Sequence, residues 1–273
     1  MKIARLFAIA LFTLSTTAAF AQKSEIVVLA HRGGCGEGME NVLSTFQKSL
    51  DAGIRAFELD VRTSKDGKIV LQHDNTLKRT AGIDRAVEDM TEKELREVTL
   101  NDGSKLAFLN EVLELFSKYQ DLYVEFELKC SKYDEKLLIN SGYCDKVAKA
   151  VLKAQPKGST YVLSSFNTRA LHYIKENYPT AEIAYITTKG CNESTIATAE
   201  ALGAKRMAAR MDKTSREDIK KAHKKGFIVN LWPGRSDDSL LRAWALEADI
   251  HCTDYPIHLS QYGREKCKWI TIK

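Results

Sequence analysis

Past residue 21 the chain alternates two patterns of hydrophobic and polar positions. Short runs rich in Val, Ile, Leu and aromatic residues read as strands buried on both faces, and longer stretches with apolar residues every three or four positions read as helices packed by one side. Strands are expected at residues 26–30, 56–61, 68–72, 123–128, 161–164, 182–186, 206–209, 227–231 and 249–253. Helices are expected at 41–52, with Leu43, Phe46 and Leu50 on one face and Gly53 as the stop, and at 110–119, 145–154, 168–178 and 193–202. Ser215-x-x-Asp218 opens a further helix as a capping box that Gly226 closes, and 239–246 forms the last.

Strands alternating with helices over this length predict a (β/α)8 TIM barrel, with a doubly wound open sheet as the alternative. Nine strand runs reduce to eight by geometry. Only residues 62–67 separate the second run from the third, too few for a parallel crossover, and Asp66-Gly67 is a hairpin signal, so these two runs must be antiparallel. Pairing about that turn sets residues whose numbers sum to about 133 opposite one another, which puts His73 across from Asp60 at the rim. Residues 74–108 lack a strong strand pattern and read as a small inserted subdomain after this hairpin, with Thr91-x-x-Glu94 capping a short helix.

Composition narrows the class. Hydrophobic residues make up 44% and charged residues 28% of 273, with only 4 Pro and 15 Gly, which excludes disorder, collagen and coiled coil. The formal charge of +5 includes Lys2 and Arg5 of the leader and commits the protein to no nucleic-acid partner. Residues 1–21 have a basic start, an apolar run over 6–14 and Ala19-Phe20-Ala21, the pattern of a cleavable secretory signal. The apolar run is far short of the ~20 residues of a spanning helix, so no stable membrane anchor is expected. The expected product is a single exported domain, 22–273, periplasmic or secreted; its oligomeric state is open. Export permits disulfides among the 6 cysteines, and Cys130 with Cys144, which bracket a polar stretch, is the pair expected to bridge.

The chemistry-bearing residues fall at the ends of expected strands. His31-Arg32-Gly33-Gly34 follows the first strand directly, where barrels hold catalytic groups. Glu58 and Asp60 lie two apart on the second strand and share one side, an arrangement costly for two carboxylates unless a cation sits between them. Glu125 and Glu127 alternate with Val124, Phe126 and Leu128, which sets both acids toward the barrel interior, and Lys129 follows at the mouth. Oxygen ligands suit a hard ion, Mg²⁺ or Ca²⁺. His172, His223, His251 and His258 read as structural or solvated.

The run His31-Arg32-Gly33-Gly34 with Glu40-Asn41, then the segment 53–80 with its E-L-D, K-D-G and H-D elements, then Phe126-Glu127-Leu128-Lys129, Leu163-Ser164-Ser165-Phe166 and Cys252-Thr253-Asp254-Tyr255-Pro256, resembles the glycerophosphodiester phosphodiesterase family over nearly the whole chain. The resemblance implies a divalent cation held by Glu58, Asp60 and Glu127. It also implies His31 and His73 as a general acid and base pair, and Arg32 and Lys129 on the phosphate of a small-molecule glycerophosphodiester. Two positions depart from the family pattern. Met39 stands where the family places Pro, and Trp232 is followed by Pro233-Gly234-Arg235, leaving Trp232 as the expected substrate wall. Alternative readings on this scaffold are a lysophospholipase D and a noncatalytic phosphodiester-binding protein. The second would be signalled by loss of a carboxylate or histidine, and all are present.

Overall fold

A computed structural model describes residues 25–273, and the expected leader at 1–21 lies outside them. Strand β1 (Glu25–Ala30) runs into the turn that carries His31, and helix α1 (Leu43–Asp51) follows. Strand β2 (Ala56–Thr63) is buried along its whole length, and β3 (Ile69–Leu71) folds back on it antiparallel. The chain then makes an excursion through β4 (Thr76–Leu77), α2 (Lys78–Ala81), β5 (Ile83–Ala86) and α3 (Glu92–Glu97). It rejoins the main body at α4 (Leu109–Phe116) and β6 (Tyr123–Leu128). From there helices and strands alternate: α5 (Tyr143–Ala154), β7 (Thr160–Ser165), α6 (Thr168–Asn177), β8 (Glu182–Ile186), α7 (Glu193–Ala201) and β9 (Arg206–Arg210). Next come α8 (Arg216–Lys224), β10 (Ile228–Gly234), α9 (Asp237–Ala245) and β11 (Ile250–Thr253). Two elements that the hydrophobic pattern did not predict, α10 (Pro256–Lys266) and β12 (Thr271–Ile272), end the chain, β12 pairing with the start of β1.

Strands β1, β2 and β6 to β11 form a ring of eight parallel strands. The ring closes where Val27 to Ala30 of β1 pair with Ile250 to Thr253 of β11 and where Ala30 meets Phe57 of β2. The fold is therefore the (β/α)8 barrel, and an open doubly wound sheet is excluded because no parallel edge is left unpaired.

The hairpin departs from expectation by one residue. Val61 faces Leu71 and Thr63 faces Ile69, because Ser64 N–H donates to the Lys68 carbonyl at 2.8 Å and closes a three-residue loop in which Gly67 adopts a φ of +79°. Gln72, not His73, consequently hydrogen-bonds across to Asp60, its N–H donating to the Asp60 carbonyl at 3.2 Å. His73 lies one residue past the ladder, free of the alternation that would have fixed its face, and its carbonyl accepts from Arg62 Nη2 at 3.0 Å.

In the excursion, β4 and β5 pair antiparallel and the capping box at Thr91 and Glu94 starts α3. Leu77, Val87, Met90 and Leu95 pack there in an apolar cluster of their own, against Val70 and Phe108. The main core lies between the strand ring and the helices. Phe46 of α1, Phe57 of β2 and Phe116 of α4 meet in it, with ring centroids 5.2 to 6.0 Å apart. All three rings are buried, so Phe116→Ala is expected to cost ~3–5 kcal/mol through lost transfer energy and a cavity. Urea unfolding checks this, and an unchanged midpoint would contradict the packing.

All six cysteines are free, so the expected bridge between Cys130 and Cys144 is absent. Cys130 Sγ lies 3.4 Å from the Leu128 carbonyl and 3.7 Å from Ser165 Oγ, engaged at the end of the sheet, while Cys144 is buried in α5.

Candidate active site

The strand register assembles the acidic cluster. β2 and β6 pair with Glu58 beside Glu125 and Asp60 beside Glu127, so the four acids form two layers facing the barrel interior. Glu58, Asp60 and Glu127 bring one carboxylate oxygen each within 4.8 Å of one another. Glu125 is excluded from that trio. Its Oε1 accepts from Tyr123 OH at 2.5 Å and Asn230 Nδ2 lies 3.3 Å from both its oxygens, so these partners take it into a separate buried network although it shares a layer with Glu58.

The trio is electrostatically unbalanced. Burial, then the Asp60 and Glu127 charges, push Glu58 well above the usual carboxylate range. Burial likewise raises Glu127, although Lys129 Nζ sits 2.7 Å from its Oε1 and opposes the shift. Asp60 goes the other way. Burial would raise it, but Lys129, His73 and Arg32 outweigh that and hold it below the usual range. Glu58 Oε1 and Asp60 Oδ1 are buried without a hydrogen-bond partner. Buried carboxylate oxygens that find no donor and repel one another are what a hard divalent cation would satisfy, so the donor set fits such an ion.

Around the trio each remaining group is held by a second one. Asn41, at a φ of +58°, donates to Asp60 Oδ2 at 2.8 Å and accepts from the Asp60 N–H at 3.2 Å, which fixes that carboxylate. The Arg32 backbone N–H donates to Glu58 Oε2 at 3.0 Å, while its guanidinium bonds Glu40 at 3.1 Å and reaches 3.5 Å from Asp60. Lys129 Nζ lies 3.6 Å from Asp60 Oδ1. Arg32 and Lys129 thus flank the carboxylates as the fixed cations nearest the trio.

The two histidines are mounted alike. His31 Nδ1 is 2.6 Å from Asp254 Oδ1, and its Nε2 faces the trio, 3.9 Å from Glu58 Oε2. His73 Nδ1 is 2.7 Å from Asp74 Oδ1, and Asp74 is held by Arg79, which also clamps Glu40 through two bonds of 2.7 Å. In each case a proton on Nδ1 would satisfy the carboxylate and leave Nε2 bare. Burial lowers the His73 pKa; Asp60 opposes that, and Lys129 and Arg32 add to it.

Asp74, Asn41 and Asp254 were not singled out as site residues from sequence. The signal for Asp254 was present, since it directly follows the last barrel strand within Cys252-Thr253-Asp254, but its partner stands 223 positions away. Glycines make that approach possible. Gly36 N–H donates to the Asp254 carbonyl at 2.8 Å, and a Cβ on Gly36 would come 2.6 Å from the Tyr255 ring.

All eight expected site residues except Asp60, which lies just beneath, line one cavity of about 410 Å³. Trp232 forms part of its wall, edge-on to Phe166 with centroids 6.1 Å apart and with the Arg210 guanidinium 5.2 Å from its ring centre. A second cavity of about 400 Å³ lies between α1 and the excursion, where Arg96 and Glu111 pair with each other and no carboxylate cluster is present. The other histidines serve elsewhere: His223 bonds Asp249, His258 bonds Asp237, His172 pairs with Glu176, and His251 is buried, its pKa lowered to about 4 by that burial.

Barrel, carboxylate trio and paired histidines define the class: a (β/α)8-barrel enzyme with its site at the C-terminal face of the barrel. Residues 31–258 match the glycerophosphoryl diester phosphodiesterase family, and the chain belongs to that family, as a phosphoric diester hydrolase. A glycerophosphodiester phosphodiesterase of Caldanaerobacter subterraneus subsp. tengcongensis is 29% identical over 174 residues, covering 61% of this chain and 69% of that protein. The crystal structure of the glycerophosphodiester phosphodiesterase of Thermotoga maritima superposes with a TM-score of 0.67 at 27% identity, over 86% of this chain and 97% of that one. A phosphodiesterase of Oleispira antarctica, solved with the product sn-glycerol-3-phosphate, superposes with a TM-score of 0.76 at 23% identity, over 86% and 95% of the two chains.

Proposed function

We propose that the protein hydrolyses deacylated glycerophosphodiesters, such as glycerophosphocholine or glycerophosphoethanolamine, to glycerol 3-phosphate and the free alcohol. The observation that carries this reading is the pair of buried carboxylate oxygens without donors, on Glu58 and Asp60, in a trio flanked by two Asp-mounted histidines and two fixed cations. Glu58, Asp60 and Glu127 would hold one divalent cation, Ca²⁺ or Mg²⁺, with Ca²⁺ favoured slightly because an exported site meets more of it. Such an ion would neutralise charge that grows on the phosphoryl oxygens in the transition state.

The remaining work falls to the chain itself. Arg32, braced by Glu40, and Lys129, braced by Glu127, bind the phosphodiester as fixed positive charges that need no reorganisation during the reaction. His73, whose neutral form burial favours, suits the base that takes the proton of the nucleophile at Nε2. His31, its Nδ1–H held by Asp254, suits the acid that returns a proton to the leaving oxygen, again through Nε2. Trp232 and Phe166 would stack against the alcohol.

The choice of a small diester over a lysolipid rests on the cavity wall. Its apolar lining is a short patch of Phe166, Ile186, Ala208, Trp232, Pro233 and Cys252, broken by Arg210, Asn230 and Arg235 and bordered by Arg32, Glu58, Glu127 and Lys129. An acyl chain gains ~0.8 kcal/mol per buried CH₂ only where apolar surface follows it along its length. A coupled assay comparing glycerophosphocholine with lysophosphatidylcholine tests this reading: kcat/KM is expected to be higher for the former, and the reverse order would overturn it. The leader pattern at residues 1–21 supports action outside the cytoplasm, and no helix among the described residues is long and apolar enough to cross a membrane.

A further inference from the structure

We propose that His31, Cys35 and Asp254 form a second metal site, for a borderline cation such as Zn²⁺, whose occupation silences the enzyme. Their ligand atoms all lie within 4.8 Å of one another. Cys35 Sγ stands 3.8 Å from His31 Nδ1, and Asp254 Oδ1 stands 2.6 Å from the same nitrogen. In tetrahedral zinc sites with bonds of ~2.0–2.1 Å to N and O and ~2.3 Å to S, neighbouring ligand atoms are ~3.3–3.6 Å apart. The sulfur is therefore nearly in place, and the carboxylate oxygen has to back away by less than ~1 Å as the ion replaces the proton now shared with Nδ1.

The donor chemistry separates this site from the carboxylate trio. Imidazole nitrogen, thiolate and one carboxylate oxygen are a zinc set, whereas three carboxylates suit Mg²⁺ or Ca²⁺. The frame is already built. Cys35 N–H donates to the His31 carbonyl at 3.1 Å, Gly36 N–H ties the same turn to Asp254, and Arg235 Nε holds Asp254 Oδ2 at 2.9 Å, which turns Oδ1 toward His31. The His31 side chain is 26% exposed, so solvent can reach the ring and a water can take the fourth position. Cys35 is also the one cysteine that is not buried, and nothing in the hydrolytic reading uses its thiol.

Occupation changes what His31 can do. In the neutral ring the proton on Nδ1 is given to Asp254 and the Nε2 lone pair faces the active site. An ion on Nδ1 moves the ring proton to Nε2, and the thiol gives up its own, so one proton is released per ion bound. With an ion on Nδ1, the Nε2 proton can leave only by making an imidazolate, so His31 becomes a far poorer acid than the imidazolium and can no longer protonate the leaving oxygen. The silencing rests on the acid–base role proposed above for His31; the binding does not.

The test uses the enzyme saturated with Mg²⁺, with Co²⁺ as the spectroscopic probe and Zn²⁺ as the inhibitor. Co²⁺ is expected to give a near-ultraviolet thiolate-to-metal absorption in the native protein that Cys35→Ser lacks. Cys35→Ser is expected to raise the Zn²⁺ concentration for half inhibition at least ~10-fold while leaving zinc-free turnover within about twofold, in line with the loss of one ligand. Absence of the thiolate band, or equal zinc sensitivity in the two proteins, overturns the site. A thiolate band without inhibition overturns the silencing. The hydrolytic reading stands or falls separately, on turnover of glycerophosphocholine with Mg²⁺ alone.

Discussion

Asp60→Asn is expected to lower turnover by at least ~10²–10³-fold, the scale on which fixed electrostatic stabilisation of a transition state is lost. Exhaustive chelation should abolish activity in the native enzyme, and added Ca²⁺ or Mg²⁺ should restore it. Asp60 is the buried centre of the site: Asn41, Arg32 and Lys129 all converge on it, and one of its oxygens has no donor. Its neutral amide would face Arg32 and Lys129 with a poorer acceptor and would give a cation one charge fewer. Glu127→Gln should behave similarly, because it also frees Lys129. Glu125→Gln should cost less than about tenfold, since its carboxylate is occupied by Tyr123 and Asn230 and an amide can keep part of that network. Full activity after chelation would refute the metal assignment, and equal losses at Glu125 and Glu127 would refute the assignment of Glu125 to a separate network.

The second large effect is at the histidines. His31→Ala and His73→Ala should each reduce turnover by at least ~10²-fold, the usual contribution of a positioned acid or base. Activity of the native enzyme should follow a bell in pH. Because burial disfavours the charged form of His73, its neutral form persists as the pH falls, so the acid limb should lie below the ordinary histidine value of ~6.5 and vanish only as His73 protonates. Asp254→Asn should reduce kcat without a matching rise in KM, since it releases the His31 tautomer and leaves the phosphate contacts in place. Near-normal turnover in His73→Ala would show that the histidine's position past the hairpin is incidental.

What the chain determines by itself is the part of the structure set by local period and spacing. Continuous apolar runs, amphipathic helices and a loop too short for a crossover suffice for eight parallel strands and one returning strand. Alternation along single strands suffices to put Glu58 with Asp60, and Glu125 with Glu127, on common faces. Other features depend on elements far apart in sequence and were settled only by their packing. The register of β2 against β6 sets Glu127 beside Asp60 and Glu125 beside Glu58, and the bonds of Glu125 to Tyr123 and Asn230 take it out of the trio, a distinction to which the equal spacing of the two acids is blind and which only the family resemblance anticipated. The Ser64 to Lys68 bond, not the Asp66-Gly67 signal, sets the hairpin register and leaves His73 beyond the ladder. Cysteine spacing suggested a bridge, yet the engagement of Cys130 at the sheet end leaves both thiols free. The closing of the ring, which brings the turn after β1 against the residues after β11, joins Asp254 to His31 and Cys35 of that turn. Contacts of that kind arise because a closed barrel makes the first and last strands neighbours, and no local pattern carries that information.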